Sequence, residues 1–330
     1  MNLGQNTYVG LDTHRETING TALETNGNII CNCDFPNTKE ALTEFMKGFY
    51  TWNTNIAIEA CNFWRGPYKI LKDLGYKVKL ANPIKCRQIA RDKKTDKVDS
   101  KILADLIRIN YLPEVYIPDE EILSLRDLTR NKISIMKMRV KIQVKIKSCL
   151  SRNGIAYPEK MWNVEGFRWL KKINDEEING YLRIFEILKK EENILKRKIE
   201  KIVQNKEEML LLKSIPGIGY FGAALIYSEI ADINRFASPK YLHAYAGVVP
   251  GIYQSGTKTH PSKRKEVNYW LKWIIGQCSG KVTLKKSKLQ NHYFKIRKKK
   301  GWKAARKSVA RKMLTIIWFV LREKIPYHES

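Results

Sequence analysis

The chain has 330 residues, 43% of them hydrophobic, enough for about two domains with a sizeable core and too apolar for a disordered protein. Lysine and arginine number 61 against 33 aspartate and glutamate, a formal net charge of +28. No fold needs that self-repelling excess, and a polyanionic partner explains it, nucleic acid ahead of a membrane surface. No apolar run is long enough to span a bilayer and no signal peptide opens the chain, so a cytoplasmic protein is expected. Cys31 and Cys33 form a C-x-C, while Cys61, Cys86, Cys149 and Cys278 stand apart. Without a C-x-x-C pair or clustered histidines, reduced thiols are expected rather than a structural zinc site.

Residues 7–12 predict a short buried strand ending at Asp12. Two more strands are expected at 17–24 and 28–35, with Asn26-Gly27-Asn28 as the hairpin signal between them. Leu42, Phe45, Met46 and Phe49 recur at helical spacing and predict a helix over 38–51. A strand over 55–59 again ends on a carboxylate, Glu59. A helix at 64–74, a strand at 76–81 and helices at 84–91 and 96–109 complete a mixed α/β sheet domain over residues 1–118. Asp12 and Glu59 both fall at strand C-termini, where open α/β sheets place their sites.

From 119 to 208 the chain turns to long charged helical segments. Ile122, Leu125 and Leu128 begin a helix expected to reach Ser151, and Pro158 and Gly166 mark a break. Leu188, Leu195 and Ile202 then recur every seven residues, with Phe185 and Ile199 beside them, a short coiled-coil stripe. It suits a helical hairpin within one chain and a dimerisation arm equally well.

The third region, 209–330, is expected to be mostly helical. Ile215-Pro216-Gly217-Ile218-Gly219 joins two apolar helical stretches and has the form of a helix-hairpin-helix. Such a turn exposes backbone N–H groups that can hold a DNA phosphate, with Gly217 and Gly219 as the contact residues; a tight interhelical turn is the structural alternative. From Lys281 to Lys312 fourteen basic residues occur without an acidic one, interleaved with Tyr293, Phe294 and Trp302. Phosphate contacts explain so long a bias, with Lys298, Lys299, Lys300, Arg306 and Arg311 as candidates. Trp318 is expected to cover the core.

Asp96 and Asp99 lie three apart, on one face of a helix. With Asp12 and Glu59 arriving from strand ends, they make a set of hard oxygen ligands suited to Mg²⁺. Taken singly, each reads as a surface carboxylate, and Asp96 also as an N-cap. Asp105 is expected to pair with Lys101 or Arg108. Ser255, in the short loop Tyr253-Gln254-Ser255-Gly256, is a candidate nucleophile next to basic residues, although serine before glycine is commonly only a turn residue. Lys258, Lys263 and Arg264 are placed to neutralise a phosphate there, His260 offers no clear base, and Ser262 is the fallback nucleophile.

Gly10-Leu-Asp-Thr-His14, Ile58-Glu59-Ala60, Ala81-Asn-Pro83 and Lys94-Thr-Asp-Lys-Val-Asp-Ser-Lys101 resemble, in that order, the ribonuclease-H/RuvC-like DEDD domain of one transposase family. Ile215-Pro-Gly-Ile-Gly219, Ala246-Gly-Val-Val-Pro250 and Gln254-Ser-Gly256 resemble its C-terminal transposase domain. The family is insertion-sequence family one-hundred-ten, with its eleven-eleven subgroup, the bridge-RNA-guided recombinases. The resemblance implies an enzyme of a bacterial insertion sequence that exchanges DNA strands. Asp12, Glu59, Asp96 and Asp99 would bind Mg²⁺, with Mn²⁺ as a substitute, and Ser255 would form a covalent phosphoserine link to DNA. It further implies donor and target DNA and a structured element-encoded RNA as partners. Dimers would assemble into tetramers, with the acidic site of one subunit completing the serine site of another. One departure follows Ser255: Val267 stands where the family has glycine, before Asn268. An RNA-independent DNA invertase of the same fold is the competing expectation. A structural nucleic-acid binder and a metal-only RuvC-type resolvase leave the acidic set or Ser255 unexplained.

Overall fold

In β1 (Thr7–Thr13) apolar and polar residues alternate, so Val9 and Leu11 point to one face of the sheet and Tyr8, Gly10 and Asp12 to the other. β1 pairs antiparallel with β2 (Thr17–Leu23), which pairs antiparallel with β3 (Ile29–Pro36) across the Asn26-Gly27 turn. On its other edge β1 runs parallel to β4 (Thr54–Glu59), β4 runs parallel to β5 (Lys77–Ala81), and a short β6 (Glu114–Val115) closes the sheet antiparallel. The order is β3-β2-β1-β4-β5-β6. The computed structural model describes residues 6–328 except 90–95, 250, 256–257, 263–266 and 285.

Helices cover both faces. Val9, Leu11, Ile56 and Ile58 meet Leu42 and Met46 of α1 (Lys39–Met46) and Leu71 of α2 (Arg65–Asp73). Against the opposite face, Ala57 and Ala81 meet Cys86 of α3 (Pro83–Ile89) and Leu103, Leu106 and Ile107 of α4 (Asp96–Arg108). Each aliphatic side chain so buried stabilises the fold by about 1.5–3 kcal/mol, an upper figure because unfolded chains are partly collapsed. The helix expected over 38–51 is shorter: Lys47 leaves helical geometry at ψ 129°, and Phe49 reaches the core from the following turn. Asp105 pairs with Arg108 at 2.9 Å. This unit spans Met1–Ile117, and a second spans Pro118–Ser330.

The second unit begins with α5 (Glu120–Arg152), whose Asp119 N-cap accepts a hydrogen bond from the Ile122 N–H. α6 (Val164–Lys172) follows, capped by Asn163; Gly166, read from sequence as part of a break, lies inside its first turn. α7 (Glu176–Gln204) packs along α5 of the same chain. Phe185 and Ile199 of the heptad stripe are buried, while Leu188, Leu195 and Ile202 are half-buried. Glu192 accepts from Arg139 at 2.7 Å and Lys132 at 3.3 Å, tying the two helices. Near the α6 end, Ile146, Leu150, Met161, Leu170 and Leu182 form a small core of their own.

The main core of this unit is built around α9 (Tyr220–Ile230), where Gly222–Ile226 and Ser228–Ile230 are buried. Leu125 and Ile133 of α5 and Ile199 and Val203 of α7 join it, so residues 119–208 and 209–330 share one core. α8 (Glu207–Lys213) precedes α9, and α10 (Pro239–Tyr245) leads into a two-stranded hairpin, β7 (Gly251–Ser255) with β8 (Lys258–Ser262). α11 (Tyr269–Lys281) and α12 (Lys288–Glu323) complete the unit. α12 bends at Gly301, which takes φ 77°. Trp318 is buried and its indole N–H donates to Phe236 O at 2.9 Å. Among the described residues no helix is long and apolar enough to cross a membrane, and all six cysteines are free thiols.

Candidate active site and nucleic-acid interface

Asp12 stands opposite Asn19 across β1 and β2, and Asn19 opposite Asp34 across β2 and β3. Leu11 is in register with Ile58, so the next residues, Asp12 and Glu59, end neighbouring parallel strands side by side. Register therefore places Asp34, Asn19, Asp12 and Glu59 in one row across four strands, on the face that α4 covers.

The direction of α4 follows from its two ends. Arg108, in its last turn, donates to Thr25 O at 3.3 Å, beside the β2–β3 turn. That turn lies at the far end of β1 from Asp12, because Tyr8 pairs with Leu23. The first turn of α4, with Asp96 and Asp99, therefore lies toward the Asp12 end. Gly10 permits the close approach: a Cβ there would stand 2.0 Å from Ser100 O and 2.6 Å from Ala104 N. Ser100 then locks the helix to the sheet. Its hydroxyl donates to Asn19 Oδ1 and lies 2.7 Å from Thr21 Oγ1, and the Asn19 amide donates to Asp34 Oδ1 at 2.7 Å.

Asp12 is 4% exposed and lies 3.3 Å from His14 Nε2. Glu59 lies 3.9 Å from Arg87 of α3. Burial, helped by the Glu59 charge, pushes the Cys86 thiol up to about 11. The candidate ligands are all carboxylates, a donor set whose chemistry fits a hard divalent cation such as Mg²⁺ or Mn²⁺. Among the described residues, no three His, Cys, Asp or Glu side chains stand close enough together to hold an ion. The side chain of Asp96 lies outside the described set. Asn19 and Ser100, which the sequence did not single out, tie α4 to the sheet beside Asp12. The signal was the strand register, which needs the pairing as well as the period.

In the second unit Ser255 ends β7 and pairs with Lys258, the last rung of the hairpin. The loop expected at 253–256 is thus a strand up to Ser255. Lys263 and Arg264 lie outside the described residues. Gly247, at φ 62°, faces Val267 so closely that a Cβ on it would stand 2.7 Å from Val267 Cγ1. Val267, standing where glycine was expected, fills the space that Gly247 leaves. The Asn268 N–H donates to Tyr245 O at 2.7 Å, and its Oδ1 caps α11.

The Ile215–Gly219 turn joins α8 to α9, with Gly217 at φ 90° and Gly219 as the N-cap of α9. It borders a cleft of about 400 Å³ that Lys132, Lys196, Lys281, Phe221 and Trp273 also line. Lys213 lies over the Tyr220 ring at 3.3 Å, and its hydrogen bond lowers the phenol's pKa. Along α12, Lys298, Lys299, Lys300 and Arg311 are exposed. Arg306 instead donates to Gly276 O at 2.6 Å and lies beside Trp302. Tyr293 is buried in the core, while Trp302 is 52% exposed.

The sheet unit carries carboxylates at its strand ends and the helical unit carries most of the basic residues, and the known proteins that this chain is similar to include transposases. A DEDD-type IS110 model, described as a transposase, matches residues 9–154, which include Asp12, Glu59, Asp96 and Asp99. A second, the transposase IS116/IS110/IS902 family, matches 209–294, which include Gly217, Gly219 and Ser255. Together they cover more than two thirds of the chain, which belongs to the IS110 family of transposases. The putative transposase y4qE of Sinorhizobium fredii is 26% identical over 59% of this chain, a match that spans only 49% of y4qE. The transposase for insertion sequence element IS1328 of Yersinia enterocolitica is 24% identical over 83% of each chain. The pilin gene-inverting protein of Moraxella bovis is 23% identical over 97% of each.

Proposed function

We propose that the protein is the recombinase of a bacterial insertion sequence, cutting and rejoining DNA strands through a covalent link between Ser255 and a DNA phosphate. The observation that carries the reading is the convergence of Asp12, Glu59 and the Asp96–Asp99 turn of α4 at one end of the sheet. The strand order, three antiparallel strands continued by two parallel ones, supports a ribonuclease-H-like ancestry for this unit.

Asp12, Glu59, Asp96 and Asp99 would hold Mg²⁺ or Mn²⁺, which supplies positive charge to the phosphate and lowers the pKa of bound water. The Ser255 hydroxyl attacks the phosphorus and loses its proton to a base. The P–O bond to one deoxyribose breaks, and that sugar leaves as a hydroxyl after taking a proton. Rejoining reverses the step: a strand-end hydroxyl attacks the phosphoserine and the P–Oγ bond breaks. Lys258, Lys263 and Arg264 neutralise charge on the phosphate. Gly217 and Gly219 offer backbone N–H groups at the start of α9 to a second phosphate, and the lysines of α12 hold the duplex.

The partners would be donor and target DNA, a structured RNA that selects the site by pairing, and further copies of the chain. Exposed Ile184, Ile187 and Ile194 on α7 support self-association through that helix. The length of the match to the pilin gene-inverting protein favours one second reading, a DNA invertase, which in this reading acts without a guide RNA. Protein recovered from its own host with a specific RNA supports the first reading, and RNA-free protein that inverts DNA supports the second. For Ser255→Ala the expected result is loss of the covalent protein–DNA adduct with nucleic-acid binding kept. An adduct formed at the normal rate by that variant removes Ser255 from the mechanism.

A further inference from the structure

Glu229 is fully buried in the last turn of α9, and its carboxylate is held from several sides. Arg130 of α5 donates to both oxygens, at 2.8 and 2.9 Å, and Arg126 Nε lies 3.7 Å away. The third residue at the carboxylate is Asn268, whose Nδ2 donates to Oε2 at 2.8 Å. The same Nδ2 lies 2.9 Å from the Tyr245 hydroxyl, which donates to the Glu229 backbone carbonyl at 3.2 Å. Arg130 also lies against Trp270, 5.4 Å from the ring centre.

Tyr245 and Asn268 are the two ends of the segment that carries β7, β8 and Ser255. Both are tied to Glu229, and between them Gly247 and Val267 press the entering and leaving chains together. Apolar packing of equal volume would hold these helices at least as well as a desolvated carboxylate does. What the charge network adds is direction: each bond fixes an angle as well as a distance.

We propose that Glu229, through Asn268 and Tyr245, is a positioning residue that sets the angle at which the hairpin presents Ser255. The proposal rests on the reading of Ser255 as the nucleophile. Ser255 lies within the segment whose two ends these bonds hold, so a change in how the ends are held displaces Ser255. A misplacement of about 1 Å costs on the order of 10²-fold in rate.

Two variants test it. Asn268→Ser keeps a helix cap for α11 but no longer reaches Glu229. Glu229→Gln keeps the side chain's shape and removes its charge. Each is compared with the unsubstituted full chain for thermal melting, DNA affinity, single-turnover formation of the protein–DNA adduct, and amide hydrogen exchange over 251–262. The expected result for Asn268→Ser is cooperative melting and DNA affinity within about threefold, faster exchange in the hairpin, and adduct formation slowed about 100-fold. Glu229→Gln shows the same pattern with a lower melting temperature. Adduct formation at the normal rate in folded Asn268→Ser overturns the proposal, whether or not exchange rises. Loss of adduct only in step with loss of DNA binding also overturns it, since that marks a purely structural anchor. If the unsubstituted protein forms no serine-linked adduct, the nucleophile reading itself fails. The proposal then falls with it, and the cause is visible in the parent protein.

Discussion

At Gly10 one methyl group decides whether α4 reaches the sheet. An alanine Cβ would stand 2.0 Å from Ser100 O, a backbone atom that cannot swing aside. Gly10→Ala is expected to cost at least about 1–3 kcal/mol as α4 is pushed outward, measured as a lowered denaturant midpoint at unchanged m. Ser100→Ala leaves Asn19 Oδ1 and Thr21 buried and short of a hydrogen-bond partner, and should cost about 1–3 kcal/mol in the same assay. If both variants kept the parent midpoint, the close packing of α4 on β1 and β2 would be wrong. Asp12 and Glu59 were legible in the sequence because each ends an apolar run that predicts a strand. Asn19 and Ser100 were not, because their importance comes from pairing partners far away in the chain. The same holds for Val267. By itself it breaks a family pattern, and only its contact with Gly247, twenty residues earlier, shows why it fits.

Single elements were read well where one period governed them. β1, β2, β4 and α5 lie within a few residues of their expected bounds, and α7, foreseen only through its heptad stripe, packs on α5. The β7–β8 hairpin escaped notice because Gly251, Pro261 and the lysines hide its alternation. At this scale the join between α10 and α12 carries a pH dependence. His243 Nε2 lies 3.0 Å from Thr315 Oγ1, and burial, with the Arg311 charge second, lowers its pKa. His292 is lowered likewise, by burial first and then by Lys312 and Lys295. A depressed folded pKa means that the unfolded chain takes up the proton first. The stability these histidines lend is therefore complete above the unfolded value of about 6.5 and is lost as pH falls through the folded values. The melting temperature should drop between about pH 7 and pH 5, and His243→Gln should flatten that profile. A profile equally steep in His243→Gln and His292→Gln would place the titration elsewhere.

Over the whole molecule the charge is unevenly divided. Residues 1–117 hold 16 Lys and Arg against 13 Asp and Glu, while residues 118–330 hold 45 against 20. Nearly all of the +28 therefore belongs to the helical unit. The sheet unit is close to neutral. This division separates two kinds of basic residue that sequence alone ran together. Lys298, Lys299 and Lys300 are exposed on α12, whereas Arg306 commits a guanidinium N–H to Gly276 O. Replacing the three lysines with glutamine should weaken DNA binding by a similar factor for every sequence tested. It should also flatten the plot of log affinity against log salt by about 0.9 for each duplex phosphate no longer neutralised, a change of nearly 3 if each lysine holds one phosphate. Arg306→Gln should leave that slope nearly unchanged and lower the melting temperature instead, because its loss removes a tie between α12 and α11 rather than a phosphate contact. Binding titrations from 50 to 200 mM salt on one duplex decide between these outcomes (concentrations of about this range span the expected change). An unchanged slope in the triple-lysine variant would move the phosphate contacts off the exposed face of α12.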